Sequence, residues 1–333
     1  MLSVIIATWN GLRYLPECLA ALTPQLPAAA EVIVVDNGST DGTCAWLRAT
    51  YPAVQLVALP ENIGFAGGTT AGLRVARGDL LLLLNNDAFV EPGFVAALLD
   101  VMAERPDVGA AGGVLTFAHR PDVVASAGIR IRRDGVALDM WPGRAVDDLP
   151  TTPVTIAGPS GAAALYRRAL LEDAGLLEPA FFAYLEDVDL ALRALLRGWQ
   201  SVVVPAARVR HVYSATGGQG SPFKQRLLGR NRLRVIVRCF PAPLLLRCLP
   251  AMVMYDVLAA GYAVVRQQPA MIAGRMAALR ELPRLLRERH EIQKRRTAPI
   301  TDLEHWLDPW VLPWTTMQEQ QHLEAILASR TAL

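Results

Sequence analysis

Cysteine is scarce in this sequence and shows no pairing pattern. Four cysteines occur in 333 residues, none of them in a C-x-x-C pair: Cys18, Cys44, Cys239 and Cys248. A zinc ribbon needs clustered cysteine or histidine ligands, and a disulfide scaffold needs many cysteines in a short chain. The sequence therefore argues against both classes and fits a reducing compartment.

Several common nucleotide-binding and targeting signals are also absent. The turn after the first apolar run, residues 8–11, lacks G-x-G-x-x-G, and no Walker A loop occurs. Asp36–Gly42 is only superficially similar to a calcium loop, because the third, fifth and twelfth positions do not match. The run Met1–Ala7 is too short for a secretory signal, so we expect a strand there and no targeting segment.

Charge is sparse at 19% of residues, and the net charge of +2 conceals a division. Residues 1–221 carry −6 (16 basic, 22 acidic), residues 222–296 carry +12 (16 basic, 4 acidic), and residues 297–333 carry −4 (1 basic, 5 acidic). The basic segment interleaves arginines with apolar residues, which predicts a surface on anionic lipid. Helix faces packed on a catalytic domain are the alternative. No nucleic-acid motif accompanies the charge, so we expect no such partner.

No long uninterrupted apolar run is present either. The most apolar region, residues 235–265, contains Arg238, Arg247 and Asp256, and only 18 residues separate Arg247 from Arg266. A membrane-spanning helix wants about 20 mostly apolar residues, so a span is not favoured. We expect a cytoplasmic protein held peripherally on the inner face of the cytoplasmic membrane.

The first third of the chain alternates apolar strands with helices. Strands are predicted at Ser3–Ala7, Glu31–Val35, Val54–Ala58 and Leu80–Leu84. This alternation with short loops predicts an α/β fold with a mostly parallel, doubly wound sheet. Polar clusters at 8–11, 36–42 and 85–87 follow three of these strands, where such sheets bind their ligands.

The remainder of the chain has a different character. Residues 109–164 predict short strands and turns, and a strand follows at Ser201–Val204. After Ser221 the chain is helical, basic and broken by prolines. We therefore predict an α/β domain over 1–221 and a helical, basic C-terminal region over 222–333.

Five segments occur in an order that carries a resemblance: Ser3–Asn10, Val34–Gly42, Glu61–Gly68, Leu82–Asp87 and Phe181–Leu190. Together they resemble family 2 of the inverting glycosyltransferases with the GT-A fold, and most closely its rhamnosyltransferase-like branch. The resemblance covers roughly residues 1–221. It implies a Rossmann-like sheet, a nucleoside-diphosphate sugar as donor, and Mg²⁺ or Mn²⁺ as cofactor.

The resemblance also assigns the donor site. Asp36 would bind the nucleoside, because a carboxylate can accept hydrogen bonds from a ribose hydroxyl or a base N–H. Thr8 and Asn62 would add polar contacts, and Gly67 and Gly68 would let the backbone approach the ligand. The alternatives are an Asx-turn or helix cap for Asp36 and a plain turn before a helix for the glycines.

Asn85-Asn86-Asp87 stands where the family carries its D-x-D motif. The resemblance implies that Asp87 and His211 hold the metal, that the Asn85 side-chain carbonyl can supply a further oxygen ligand, and that Asn85 and Asn86 belong to the donor and cofactor site. Hard cations prefer oxygen ligands, and imidazole is a common ligand as well. An ordinary turn after a strand and a structural histidine are the alternatives.

The catalytic base is assigned to an acidic pair that follows an aromatic cluster. An inverting transfer needs one base for the acceptor hydroxyl, and nearby apolar rings raise a carboxyl pKa. We predict that Asp187 is the base, that Glu186 and Asp189 position the acceptor or the loop, and that Tyr184 contacts the acceptor. The alternative is a helix N-terminus that favours acidic residues.

Two further sets of residues each have two possible roles. The first would close over the diphosphate or meet lipid head groups: Lys224, Arg226, Arg230 and Arg232. The second would anchor at a membrane interface or pack the tail: Trp306, Trp310 and Trp314.

The predicted reaction is transfer of L-rhamnose from dTDP-rhamnose to a hydroxyl of a lipid-linked or cell-surface glycan. A galactofuranosyl or hexosyl transferase using a UDP- or GDP-sugar is the alternative within the enzyme class. A non-catalytic, membrane-associated scaffold is the alternative outside it. A nucleotidyltransferase would carry a Gly-rich basic first loop, which residues 8–11 lack. An oligomer is compatible with the sequence.

Overall fold

The first part of the chain alternates strands and helices, as the sequence predicts. The computed structural model describes residues 1–212 and 221–312, with positions 314, 315, 318, 319, 321, 323 and 325. The opening elements are β1 (Leu2–Thr8), α1 (Leu15–Leu22), β2 (Glu31–Asp36), α2 (Thr43–Thr50), β3 (Gln55–Ala58), α3 (Gly64–Val75) and β4 (Leu80–Leu84).

A strand-rich segment follows and closes with two helices and a long strand. Its elements are β5 (Ala88–Val90), α4 (Phe94–Glu104), β6 (Val108–Phe117), β7 (Arg120–Ser126), β8 (Ile129–Arg132), β9 (Ala137–Asp139), β10 (Val154–Ile156), β11 (Ala163–Arg167), α5 (Arg168–Ala174), α6 (Glu186–Leu196) and β12 (Gln200–His211). The short strands predicted between residues 109 and 164 are therefore present.

The main sheet is parallel in its first half and mixed beyond it. Its strand order is β10-β12-β6-β11-β4-β1-β2-β3, with β5 on β12 and β7 on β6. The pairs β1–β2, β1–β4 and β2–β3 are parallel, whereas β11 lies antiparallel between β4 and β6. β11 runs in the opposite direction because the chain returns to the sheet from the strand-rich segment. The α/β fold is confirmed, with more antiparallel pairing than the sequence indicates.

The continuous apolar runs in the first strands reflect a sheet covered on both faces. Within β1, Ile5 belongs to one hydrophobic cluster, whereas Val4 and Ile6 belong to the cluster on the other face. All three side chains are at most 1% exposed. Successive residues of a strand point to opposite faces, so a doubly covered strand has no polar alternation.

The C-terminal part is helical. Its elements are α7 (Pro222–Cys239), α8 (Ala242–Val265), α9 (Pro269–Arg280), α10 (Leu282–Lys294), α11 (Ile300–His305) and the short strand β13 (Leu307–Asp308). α7 begins at Pro222, after residues 213–220, which lie outside the described residues. Phe240 and Leu244 join the same hydrophobic cluster as Ile5 of the sheet. The division into two domains at residue 221 stays a prediction.

Much of the positive charge on α7 points into the protein. Arg232, Arg234 and Arg238 are each at most 5% exposed and form ion pairs with acidic side chains. Arg232 donates to both carboxylate oxygens of Asp256, at 2.9 and 3.0 Å. The prediction that Arg232 meets a diphosphate or a lipid is therefore wrong, because packing α7 on its neighbours requires its arginines to be paired.

One helix among the described residues is long and apolar enough to cross a membrane by length and composition. This is α8, with 24 residues and 22% of its most apolar window buried. Trp306, after α11, packs against the core cluster, whereas Trp314 is 54% exposed. The tail tryptophans therefore do not share one environment.

Candidate active site

Three strand ends bring the predicted donor residues to one edge of the sheet. Thr8 at the end of β1 is in register with Asp36 at the end of β2. The side-chain amide of Asn86, just after β4, donates to Thr8 Oγ1 at 2.9 Å. The three polar clusters predicted to lie together therefore do so, because parallel strands end at the same edge.

One carboxylate oxygen of Asp36 accepts a hydrogen bond within the protein, and the other does not. Its Oδ2 accepts from the backbone N–H of Ser39 at 3.0 Å, which is the Asx-turn alternative. Its Oδ1 is buried and has no hydrogen-bond partner. A buried acceptor without a partner is costly, so the arrangement suits a ligand that donates a hydrogen bond at this position.

The predicted contact residue Asn62 is engaged in a local turn. Its Oδ1 accepts from the backbone N–H of Gly64 at 2.9 Å. Asn37, which the sequence reasoning did not single out, holds the same loop. Its side-chain amide donates to the Gly64 carbonyl at 2.8 Å and accepts from the N–H of Ile63 at 3.1 Å. The signal in the sequence was its position directly after Asp36.

Gly67 and Gly68 make room for protein side chains. Both are buried in α3. A Cβ on Gly68 would lie 3.0 Å from the Asn37 amide nitrogen, and one on Gly67 would lie 3.0 Å from the Ile63 side chain. These glycines therefore leave room for the Asn37 side chain to bond the backbone of residues 63 and 64. Their expected direct contact with a ligand stays a prediction.

Asp87 and His211 converge although they lie far apart in the sequence. β12 pairs with β5, and this register sets His211 opposite Ala88. Asp87 Oδ1 then lies 3.2 Å from His211 Nε2, and the Asn85 side-chain amide lies 3.3 Å from the same nitrogen. Asp87 and His211 are 7% and 8% exposed. The structure thus places both predicted metal ligands at one point beyond the sheet.

These residues fit a divalent cation only in company with further ligands. Asn85 Oδ1 is buried and has no hydrogen-bond partner. Among the described residues no group of three or more His, Cys, Asp or Glu side chains forms a metal site. One carboxylate, one imidazole and one amide oxygen leave positions open. Mg²⁺ in nucleotide-binding enzymes commonly fills such positions with substrate phosphates and water.

Glu186 and Asp187 are neighbouring carboxyl groups at the start of α6, where Glu186 is buried and Asp187 is partly exposed. Asp187 Oδ2 accepts from the backbone N–H of Gly161 at 3.0 Å, and its Oδ1 accepts from that of Val188 at 2.8 Å. Glu186 Oε2 is buried without a hydrogen-bond partner. A Cβ on Gly161 would lie 3.3 Å from that of Asp187, so a glycine permits this close approach.

The environment separates the roles of the two carboxyl groups. Burial, reinforced by the charge of Asp187, raises the pKa of Glu186 to about 8. Burial also raises the pKa of Asp187, while the N–H groups of Gly161 and Val188 oppose that shift. Neighbouring carboxyl groups disfavour each other's charge. The two backbone N–H groups on Asp187 favour its charged form, whereas Glu186 Oε2 has no such contact.

Asp189 does not lie with this pair, which corrects its predicted role in acceptor binding. It is fully buried and accepts from Arg193 Nε and Arg238 Nε, both at 2.8 Å. Burial acts to raise the pKa of Asp189, but Arg238 and Arg193 outweigh it and hold the pKa below its usual range. Asp189 thus ties α6 to α7, because an unexposed carboxylate with two arginine partners cannot reach an acceptor.

The loop before Glu186 and Asp187 has an unusual backbone. Phe182, Tyr184 and Leu185 all have positive φ angles, 66°, 68° and 67°. Side chains other than glycine rarely adopt this region, and each such residue costs roughly 1–3 kcal/mol unless the surroundings enforce it. The loop must therefore be held by contacts from elsewhere.

Asn231 of α7 supplies those contacts and was missed by the sequence reasoning. Its side-chain nitrogen lies 3.0, 2.9 and 2.7 Å from the carbonyl oxygens of Phe181, Ala183 and Tyr184. Asn231 is fully buried. Arg230 adds bonds to the carbonyls of residues 180 and 181, at 3.1 and 2.8 Å. Arg230 therefore holds the loop, which corrects its predicted contact with a diphosphate or lipid.

Two more charged groups lie near Tyr184 and Asp187. Lys224 Nζ lies 5.4 Å from the centre of the Tyr184 ring. Burial lowers the pKa of Lys224, and the charge of Asp139 opposes this shift. Asp139 also acts to raise the pKa of Asp187. Asp139 was not a predicted site residue, since only the tertiary fold brings β9 to α6.

Comparison with known proteins identifies the family. A family model described as "Glycosyltransferase like family 2" matches residues 1–234. The chain belongs to this family. It is a glycosyltransferase, as the resemblance implied. The matched region contains the strand-end residues, the acidic pair Glu186 and Asp187, and Asn231.

Similar proteins support the same assignment. The N-acetylglucosaminyl-diphospho-decaprenol L-rhamnosyltransferase of Mycobacterium tuberculosis (strain ATCC 25618 / H37Rv) is 30% identical over 237 residues, 63% of this chain and 76% of the relative. Among solved structures, GalNAc-T7 with UDP, GalNAc and Mn²⁺ has a TM-score of 0.62 at 17% identity, covering 88% of this chain and 55% of that one. The mannosyltransferase PcManGT from Pyrobaculum calidifontis, with GDP-Man and Mn²⁺, has a TM-score of 0.51 at 20% identity, covering 85% and 86%. These structures show that the fold is GT-A.

Proposed function

We propose that this glycosyltransferase transfers L-rhamnose from dTDP-rhamnose to a hydroxyl of a lipid-linked or cell-surface glycan, with inversion at the anomeric carbon. The observation that carries the chemistry is the neighbouring pair of a buried Glu186 and a partly exposed Asp187, whose pKa values are both raised. The similarity to a rhamnosyltransferase that acts on a diphospho-decaprenol supports the choice of donor and acceptor.

In this proposal Asp187 is the base. Its charged carboxylate accepts the proton of the acceptor hydroxyl as that oxygen attacks the anomeric carbon. The bond from the anomeric carbon to the diphosphate oxygen breaks, and the nucleoside diphosphate leaves with the electron pair. Glu186, protonated beside it, keeps the second charge out of the site. Tyr184 and Glu186 border the space for the acceptor.

The donor would be held at the strand ends. Asp36 Oδ1 accepts a hydrogen bond from the nucleoside, and Thr8 and Asn86 line the same edge. Asp87, His211 and the Asn85 amide oxygen would hold Mg²⁺ or Mn²⁺. A divalent cation, when bound there, neutralises charge on the departing diphosphate.

Two substitutions test these assignments. We expect Asp187→Asn to lower rhamnosyl transfer by roughly 100-fold or more while donor binding persists, because only the base is lost. Asp87→Ala should weaken donor binding in the presence of Mn²⁺. Asp107→Asn removes a surface carboxylate paired with Arg105 and serves as the control. Full activity of Asp187→Asn would remove that residue from the role of base.

A donor panel separates this proposal from its rivals. Thermal-shift and transfer measurements would compare dTDP-rhamnose with UDP-galactofuranose and with UDP- and GDP-hexoses. We expect the largest shift and measurable transfer with dTDP-rhamnose. Transfer from another donor alone would establish the galactofuranosyl or hexosyl alternative. Absence of transfer from every donor would favour the non-catalytic scaffold.

The location proposed for the enzyme follows from its acceptor. A lipid-linked glycan is reached at a membrane surface, so we place the protein in the cytoplasm, peripherally on the inner face of the cytoplasmic membrane. The basic and apolar composition of residues 222–296 supports this placement.

A further inference from the structure

The outer face of α8 is a continuous apolar stripe. Exposed apolar side chains recur along it at helical spacing: Leu246 (70% exposed), Leu249 (46%), Val253 (52%), Val257 (62%) and Val264 (68%). These positions share one face, because a helix repeats every 3.6 residues. Monomeric soluble proteins rarely expose a long contiguous apolar surface unless something covers it.

The opposite face of α8 is packed against the protein. Leu244, Cys248 and Met252 are at most 4% exposed and belong to the hydrophobic cluster on the sheet. Asp256 lies on this side too, and its carboxylate accepts from Arg232 at 2.9 Å and from Arg275 at 2.8 Å. The charge that counts against a membrane role in the sequence therefore points away from the apolar stripe.

This arrangement excludes a membrane span and favours a helix lying at a surface. To cross a bilayer, α8 would have to leave the core cluster and bring Asp256 into hydrocarbon without Arg232 and Arg275. A helix in the membrane interface keeps those contacts and buries one apolar face only. The asymmetry of α8 matches the second geometry.

The charges around the stripe identify the surface it fits. Between residues 242 and 280 the only acidic residue is Asp256, which is paired inwards. Exposed arginines stand near the stripe or next to exposed apolar residues: Arg266 just after α8, Arg280 beside Leu279, and Arg287 beside Leu286. Such a face attracts anionic head groups, whereas pairing with a second copy would bring like charges together.

We propose that α8 docks this protein on an anionic bilayer, with the stripe from Leu246 to Val264 among the outer acyl chains and Arg266, Arg280 and Arg287 at the head groups. The proposal deepens the proposed function and rests, for its biological purpose, on a lipid-linked acceptor. Vesicle binding tests it separately from transfer.

The experiment is vesicle flotation of the full chain. Vesicles of phosphatidylcholine alone are compared with equal parts of phosphatidylcholine and phosphatidylglycerol, at low and high salt. The test variant is Val257→Glu, and the matched control is Val75→Glu, an exposed valine at the end of α3. We expect the native chain and the control to float with anionic vesicles and Val257→Glu to partition roughly tenfold less.

Four outcomes would overturn the proposal. The first three are a native chain that floats with neither vesicle, binding unaffected by Val257→Glu, and a dimer that this variant dissociates without any vesicle binding. Resistance to alkaline extraction would also overturn it, because that behaviour marks a spanning helix. Donor hydrolysis in solution should be equal in both variants. Absence of donor hydrolysis by the native chain would count against the proposed function. It would not affect the conclusion drawn from vesicle flotation.

Discussion

Replacing Asn231 by alanine is expected to slow transfer while leaving donor binding intact. The Asn231 amide contacts three carbonyl oxygens of the loop that precedes Glu186 and Asp187. An amide has two N–H groups, and each buried hydrogen bond contributes about 1 kcal/mol, so the variant loses about 2 kcal/mol of restraint. If that restraint holds the base in place, turnover falls by roughly 30-fold.

The assay separates positioning from folding. kcat and KM for donor and acceptor are measured with donor affinity and melting temperature, for Asn231→Ala and for Leu228→Ala, a partly exposed position on the same helix. We expect kcat to fall in Asn231→Ala, donor affinity to stay unchanged, and Leu228→Ala to resemble the native enzyme. A kcat within twofold of native for a folded Asn231→Ala would refute the reasoning.

Two further predictions concern the buried acidic groups. The pKa of Glu186 is raised in the folded state, so the native state binds more protons than the unfolded state between pH 4.5 and about 8 and stability falls as pH rises through that window. Glu186→Gln should remove this contribution, which changes the free energy of unfolding by at most about 1.4 kcal/mol per pH unit. Urea unfolding of both proteins at pH 6 and 8 measures this pH dependence. An identical pH dependence in the native protein and the variant would contradict the prediction. Asp189→Asn should destabilise the fold by roughly 3–5 kcal/mol, because Arg193 stays buried without its anion and Arg238 keeps only its pairs with Glu178 and Glu288. A loss below about 1 kcal/mol in the free energy of unfolding, measured by urea denaturation, would show that the three charges do not act as a unit.

The first half of the fold was predictable from local patterns. The predicted strands Ser3–Ala7 and Leu80–Leu84 differ from the observed ones by at most one residue at either end. Long runs of apolar residues with turn residues between them leave few alternatives, since both faces of a central strand must be buried. The strand-rich segment after residue 109 was less determined, because its pairing with distant strands depends on where the chain returns to the sheet.

The site divides in the same way. The positions of Asp36 and Asp87 after their strands follow from the parallel order of β1, β2 and β4, so the sequence sufficed to group them. Asn231, Asp139 and the inward-facing arginines of α7 carry no local signal. Their roles arise from contacts between different elements, 24 residues apart for Arg232 with Asp256 and 50 residues apart for Asn231 with Phe181.

The charged residues show most clearly what the sequence determines and what the tertiary structure determines. The sequence by itself determined that residues 222–296 are strongly basic and apolar, that the chain is α/β at its start, and which acidic motifs it carries. Only the tertiary structure decided which of these charges meet solvent. Arg232 and Arg238 turned inwards to Asp256 and Asp189, and the outer face of α8 was left apolar. Composition counts charges, but burying an ion requires a partner, and the fold alone selects that partner.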